Sequence, residues 1–99
     1  MINNIDKFIN ERALKRNNLL LLSKEHSIEL INSTFLKHIE LLGIDAFYFH
    51  GKYIQPDMEF SLDFADEHFR NLIYDEKIKL ILEKINKASD NYYFEFVYE

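Results

Sequence analysis

The segment that decides the fold is Tyr92–Glu99, which reads YYFEFVYE. Successive side chains of a β-strand point to opposite faces of a sheet, so a period of two marks a strand with one buried face. Every even-numbered position from 92 to 98 is aromatic, whereas the odd-numbered positions include two glutamates. The segment therefore predicts a core strand whose even positions pack against helices, with Tyr93 and Glu95 on the outward face.

Two helices are predicted upstream of this strand. Residues 4–16 carry apolar side chains at helical spacing and end before the break signal Asn17-Asn18. Residues 23–42 show the same spacing from an N-cap at Ser23, and Gly43 occupies the position where a helix commonly ends. The four leucines at 19–22 fit either a short buried strand or an apolar helical turn.

The middle of the chain changes to a period of two. Strands are predicted over 44–50, 52–55 and 58–62, separated by turns at His50-Gly51 and Pro56-Asp57. A helical stretch follows from a cap at Asp63, with Ile73 on its core face and with a bend or a new cap at Asp75. The predicted fold is α+β, a small and mostly antiparallel sheet of about four strands with helices packed on one face, in the order α-α-β-β-β-α-β.

Length and composition indicate one domain over residues 1–99, with enough apolar material for a core because 47% of residues are hydrophobic. The absence of cysteine excludes a disulfide scaffold and a thiolate metal site. The N-terminus lacks a basic region followed by an apolar stretch, and the run Leu19–Leu22 is far too short to span a bilayer. A cytoplasmic location without membrane contact is therefore expected.

The negative charge is concentrated in one part of the chain. Of a net charge of −5, residues 57–76 contribute seven acidic side chains against the single base Arg70. Phosphate backbones repel such a chain, so no nucleic-acid partner is expected. Clustered like charges cost folding stability, but they steer positively charged proteins and accelerate their association. The stretch therefore indicates a basic protein partner, although acids that only keep the protein soluble are the simpler interpretation.

A partner-binding surface is predicted where this acidic stretch meets outward tyrosines, since tyrosine is a typical interface anchor. Tyr48 and Tyr93 are predicted to share one sheet face with Glu59 and Glu95. The complete set of predicted partner-binding residues is Tyr48, Asp57, Glu59, Asp63, Asp66, Glu67, Tyr93 and Glu95.

The sequence contains few residue groups that could support a catalytic function. The densest group of acids and histidine is Asp63, Asp66, Glu67 and His68, which is also what a capped helix N-terminus looks like. With two glycines in the whole chain, a phosphate-cradling loop is excluded. We therefore expect no enzyme activity, no cofactor and no metal, and a small metal-dependent enzyme is the second alternative.

In composition the chain resembles bacterial immunity proteins, which are small, acidic, rich in tyrosine and free of catalytic motifs. The resemblance implies a stoichiometric inhibitor that neutralises a basic toxin or nuclease domain. The first alternative is a homodimeric structural or regulatory subunit that pairs through a free edge of the strand Tyr92–Glu99.

Overall fold

The computed structural model describes residues 4–33, 35–65 and 67–99, without the side chains of His38 and His68. The fold is α+β, as predicted. None of the helices in these ranges is long and apolar enough to cross a membrane. The elements in chain order are α1 (Asn4–Arg12), β1 (Leu14–Arg16), β2 (Leu19–Ser23), α2 (Lys24–Asn32), a 3₁₀ turn (Phe35–His38), β3 (Leu41–His50), β4 (Tyr53–Asp63), α3 (Glu67–Arg70), α4 (Tyr74–Lys87) and β5 (Tyr92–Tyr98).

The strands form one sheet in the order β1-β2-β5-β3-β4, and each neighbouring pair is antiparallel. β5 is the core strand that its alternation predicts. β5 is not an outermost strand, because β3 pairs with it along one side and β2 pairs with it on the other. The β2 pairing covers only Tyr93 and Phe94, so it does not exclude the predicted free edge over the rest of that side. The outermost strands of the sheet are β1 and β4.

The helices cover one face of the sheet, and the core lies between them and β5. Phe94 is fully buried there, opposite Ala46 on β3 and Leu22 on β2. The small side chain of Ala46 leaves room for the Phe94 ring, as close packing requires. The same core includes Ile5, Phe8, Ile9, Leu30, Ile31, Ile44, Ile81, Ile85 and Phe96.

The first predicted helix is shorter than expected. It ends at Arg12, and the following residues form a hairpin of β1 and β2. Asn17 and Asn18 both have positive φ, 51° and 66°, as a two-residue type I′ hairpin turn requires. The break signal at these asparagines is therefore confirmed, and the ambiguous leucines form a strand, which adds two strands to the N-terminal half.

The second predicted helix also ends early, at Asn32. The Ser33 hydroxyl donates a 2.5 Å hydrogen bond to the Leu30 carbonyl, so a side chain meets one of the last helix carbonyls. The chain then makes the 3₁₀ turn and enters β3 at Leu41. The prediction that Gly43 ends a helix is wrong, because Gly43 is a buried residue within β3.

The two strands predicted over 52–62 are one strand, β4, which is interrupted by a long bulge. Ala46 pairs with Asp57 and Ile44 pairs with Leu62, so Asp45 alone faces the segment Met58–Ser61. The Ser61 hydroxyl accepts a 2.9 Å bond from the Ala46 N–H and donates a 2.8 Å bond to the Asp57 carbonyl. The bulge and Pro56 interrupt β4, which protects an edge strand against unwanted pairing.

The last helical stretch divides into α3 and α4. Ile73, predicted on the core face, is 65% exposed and precedes α4 as its N-cap residue. Its N–H donates to the Glu76 carboxylate at 3.3 Å, which satisfies one of the free donors at the helix start. The predicted bend near Asp75 therefore corresponds to the start of a new helix.

Candidate functional site

The predicted partner-binding residues divide between the two faces of the sheet. Tyr48 pairs with Tyr92, whereas Phe47 pairs with Tyr93. Tyr48 therefore points to the helix-covered face and Tyr93 to the open face, so the prediction that they share a face is wrong. The reason is that Ala46 rather than Phe47 lies against the core, where the Phe94 ring already fills the space.

On the helix-covered face, Tyr48 and Asp57 belong to a cluster at the end of the β3–β4 hairpin. The Tyr92 hydroxyl donates a 2.5 Å hydrogen bond to Asp57 Oδ2, and the Tyr48 and Tyr92 ring centroids are 5.1 Å apart. The other carboxylate oxygen of Asp57 accepts the Glu59 N–H at 2.9 Å. Asp57 therefore holds the β4 bulge against β5 and has both oxygens occupied within the chain.

The Asp57–Tyr92 bond changes the acidity of both groups. The hydrogen bond from Tyr92 lowers the pKa of Asp57 below its ordinary value. The same bond, with burial and the Asp57 charge, raises the pKa of Tyr92 to about 12. At neutral pH the carboxylate is ionised and the phenol is protonated, so the pair is a stable structural contact.

The half of the open face near the β3–β4 turn is largely closed. Leu21 is fully buried and Phe47 is 9% exposed, although both point away from the main core. The Arg16 guanidinium lies 5.6 Å from the centroid of the Phe49 ring. The side chain of Arg16 on β1 therefore reaches over the open face to Phe49 on β3.

The other half of the open face contains a hollow built around Gly43. Val97 on β5 and Asp63 on β4 are its register partners on either side. Because Gly43 has no side chain, a depression of about 300 Å³ remains between them. A Cβ at this position would lie 3.0 Å from the Leu62 carbonyl oxygen, so the glycine also permits close strand packing.

Acidic and apolar side chains surround this depression, and we call the group the acidic hollow. Its acids are Asp45 and Asp63, with Glu95 beside them as the register partner of Asp45. Its apolar members are solvent-exposed: Met58 at the bulge is 83% exposed, and Leu42 and Val97 are each 38% exposed. The acidic hollow therefore comprises Leu42, Asp45, Met58, Asp63, Glu95 and Val97.

Asp45 and Glu95 lie opposite each other on the β3–β5 pair, and no ion pair joins either of them among the described residues. Partial burial, and then the charge of Asp45, raise the pKa of Glu95 above its ordinary value. Within the described ranges, the ion pairs join Arg12 to Glu11 and Glu29, and His26 to Glu29, all outside the hollow. Like charges directly opposite on an antiparallel pair are destabilising. A positive group placed here would remove that repulsion.

The hollow suits the side chain of a lysine or an arginine. These side chains combine an apolar stem with a charged head. The stem can contact Met58, Leu42 and Val97, while the head can approach the carboxylates of Asp45 and Asp63, with Glu95 beside Asp45 as its register partner. Of the predicted partner-binding residues, three lie on the open face by their strand register: Asp63, Tyr93 and Glu95.

The remaining predicted residues lie elsewhere. Glu59 is exposed on the bulge, close enough to Tyr92 to raise its pKa, and Glu67 is exposed at the start of α3. Asp66 lies outside the described residues. The sequence does not predict Asp45 as a site residue. Asp45 shares the alternation of Phe47 and Phe49, and with Tyr48 predicted outward these phenylalanines were expected to face the core.

In the described part of the chain, no three acidic or histidine side chains are grouped to hold a metal ion. The predicted group of Asp63, Asp66, Glu67 and His68 is only partly within that description, because Asp66 and the His68 side chain are outside it. Comparison with protein-family models, with curated proteins and with solved structures found no match for the chain.

Proposed function

We propose that this chain is a small acidic binding protein that associates with a basic protein partner, and that the acidic hollow receives a lysine or arginine of that partner. The observation that carries the proposal is the opposition of Asp45 and Glu95 beside exposed Met58 and Val97. Crowded carboxylates next to exposed apolar side chains cost stability in the free protein and gain it back in a complex with a cation.

The finer proposal is a stoichiometric inhibitor of the immunity type, whose partner is a toxin or nuclease domain with a positively charged surface. The acidic hollow would occupy groups on that surface that otherwise contact phosphate. The net charge of −5 supports the same choice of partner, because it accelerates encounter with a basic protein and opposes binding to nucleic acid.

The test is affinity capture from the native host with three forms of the chain, followed by mass spectrometry. The hollow variant carries Asp45→Asn, Asp63→Asn and Glu95→Gln. The matched control carries Glu25→Gln, Glu83→Gln and Asp90→Asn, three exposed acids outside the hollow, and has the same net charge. We expect the wild type and the control to retain a basic protein that the hollow variant loses.

Equal retention by the hollow variant would show that the hollow is not the binding site. Native mass spectrometry tests the alternative that the chain is a homodimeric subunit. A tight homodimer together with the absence of any basic partner would reject the inhibitor proposal in favour of a homodimeric subunit.

A further inference from the structure

A second concave site lies on the helix-covered face, away from the acidic hollow. It is a groove of about 400 Å³ between the 3₁₀ turn, the start of β3 and α4. Its floor includes Leu36, Phe64 and Ile81, each no more than 9% exposed. The volume falls within the usual range for small-molecule sites. The apolar lining consists of Leu36, Ile39, Leu41, Phe64, Ile78 and Ile81.

Two cations and one acid line this groove, in contrast to the net negative charge of the whole chain. Arg70 and Lys77 line it, and the Lys37 ammonium lies 5.7 Å from the centroid of the Tyr74 ring beside it. Glu40 is the acid in the lining. Across the described ranges, the ion pairs do not use Arg70 or Lys77. Both cations are therefore available to a ligand.

We propose that the groove binds a small amphipathic carboxylate, with its apolar tail on the floor and its carboxylate at Arg70 and Lys77. A planar guanidinium matches a carboxylate in geometry, and an ammonium adds a second charge-assisted contact. The partly exposed apolar residues of the lining, Ile39, Leu41 and Ile78, gain from being covered by the tail. The site is independent of the proposed function, because the acidic hollow lies on the opposite face of the sheet.

The test is an amide NMR titration of the full chain with octanoate. We expect saturable shifts at the 3₁₀ turn, at the start of β3 and at α4. Acetate has the same head without the tail and should cause no saturable shift. Octylammonium has the same tail with the opposite charge and should bind at least about tenfold more weakly, because Arg70 and Lys77 repel it.

Charge variants identify the residues responsible. Arg70→Gln and Lys77→Gln should each weaken octanoate binding about three- to tenfold. Lys79→Gln, which removes an exposed cation from the same helix, should leave it unchanged. Equal binding of octylammonium, equal weakening by Lys79→Gln, or shifts confined to residues outside the groove would each overturn the proposal. The comparison of ligands uses the wild-type chain, so it does not depend on the folding of any variant.

Discussion

At the scale of single residues, the Asp45–Glu95 pair is the clearest departure from what stability alone favours. A lysine or arginine at either position would turn a repulsion into an attraction across the same register pair. Glu95 is also partly removed from water, which disfavours its ionised form. This repulsion lies on the face that also exposes Met58 and Val97, and the proposed binding role would account for both features.

This repulsion gives a pH-dependent prediction. A carboxyl whose pKa is raised by folding contributes stability at low pH and loses it as pH rises through the raised value. Glu95→Gln cannot ionise, so at pH 7 it should increase the free energy of unfolding by roughly 0.2–1 kcal/mol. At a pH below the ordinary glutamate range the gain should vanish. Urea unfolding at both pH values measures this.

Glu83→Gln is the control for that experiment, because Glu83 is exposed on α4. Its effect should stay within about 0.5 kcal/mol at both pH values, as for most surface substitutions. A loss of stability in Glu95→Gln at pH 7 would show that Glu95 has a favourable partner and that the hollow is not strained.

The Tyr92–Asp57 bond gives a second prediction at this scale. In the wild type, Tyr92 should lose its proton only near pH 12, because its hydroxyl donates to the Asp57 carboxylate. In Asp57→Asn the pKa of Tyr92 should fall toward the ordinary tyrosine value of about 10. Titration of the phenolate absorbance measures the change. Tyr98, whose pKa is raised by burial and by its bond to Asp6, should still titrate late.

The matching change on the other side of the bond is Tyr92→Phe. The lowered pKa of Asp57 means that its ionised form stabilises the fold above the ordinary aspartate range, and that this stability is lost as pH falls through the lowered value. Tyr92→Phe should weaken that acid dependence of the melting temperature. Tyr53→Phe, at a 77% exposed tyrosine, is the control and should not alter it. An identical acid profile for Tyr92→Phe and wild type would contradict the structural role of the pair.

At the scale of elements, two irregularities in strands determine the shape of the open face. The turn at Asn17-Asn18 closes the first hairpin, whose Arg16 side chain lies over the Phe49 ring. The β4 bulge carries Met58 out of the ladder. The Ser61 hydroxyl there accepts from the Ala46 N–H and donates to the Asp57 carbonyl, and the Asp57 carboxylate accepts from the Glu59 N–H. One irregularity closes half of the face, and the other projects an apolar side chain at the remaining half.

The first of these elements can be tested by changing its turn residue. Asn18 has a φ of 66°, a conformation that is unfavourable for an ordinary side chain but accessible to asparagine and glycine. Asn18→Ala should lower the free energy of unfolding by about 1 kcal/mol, whereas Asn18→Gly should retain it. Urea unfolding compares the two variants. Equal stability of the alanine and glycine variants would show that the turn does not need a positive φ.

The sequence predicts elements best where one local pattern is sustained. β5 is predicted correctly because its alternation continues over its whole length and its inward positions are all aromatic. The second helix is predicted too long because Phe35 and Ile39 continue the helical spacing while belonging to the 3₁₀ turn and the residues after it. Phe35 and Ile39 show that spacing because they contact the core, although they are not part of the helix.

The site is predicted only in part for a related reason. Asp63, Tyr93 and Glu95 are found because the faces of β5 and the acidic stretch are visible in the sequence. Asp45 is missed because the inward alternation of β3 is decided by the contact of Ala46 with Phe94, a pairing between distant segments. The predicted contribution of Tyr48 to the same surface fails through the same misassigned alternation.

At the scale of the whole molecule, the two sides of the sheet have opposite electrostatic character at their concave sites. The open face presents Asp45 and Asp63 at the acidic hollow with Glu95 beside them, and the helix-covered face presents Arg70 and Lys77, with Glu40, at its groove. The net charge of −5 arises from an uneven distribution, so the two proposed sites differ in local charge. The proposed basic protein and the proposed small carboxylate would therefore bind on opposite faces without competing.

The acidic hollow as a site for a basic side chain is tested most directly by an amide NMR titration with a short arginine-rich peptide, at low and at moderate salt. We predict saturable shifts centred on residues 42–45, 58–63 and 95–97, with affinity that falls as salt rises. The Asp45→Asn, Asp63→Asn, Glu95→Gln variant should lose these shifts, and the Glu25→Gln, Glu83→Gln, Asp90→Asn control should keep them. Shifts spread over the whole acidic surface, or equal weakening in both variants, would contradict the assignment of the hollow as the binding site.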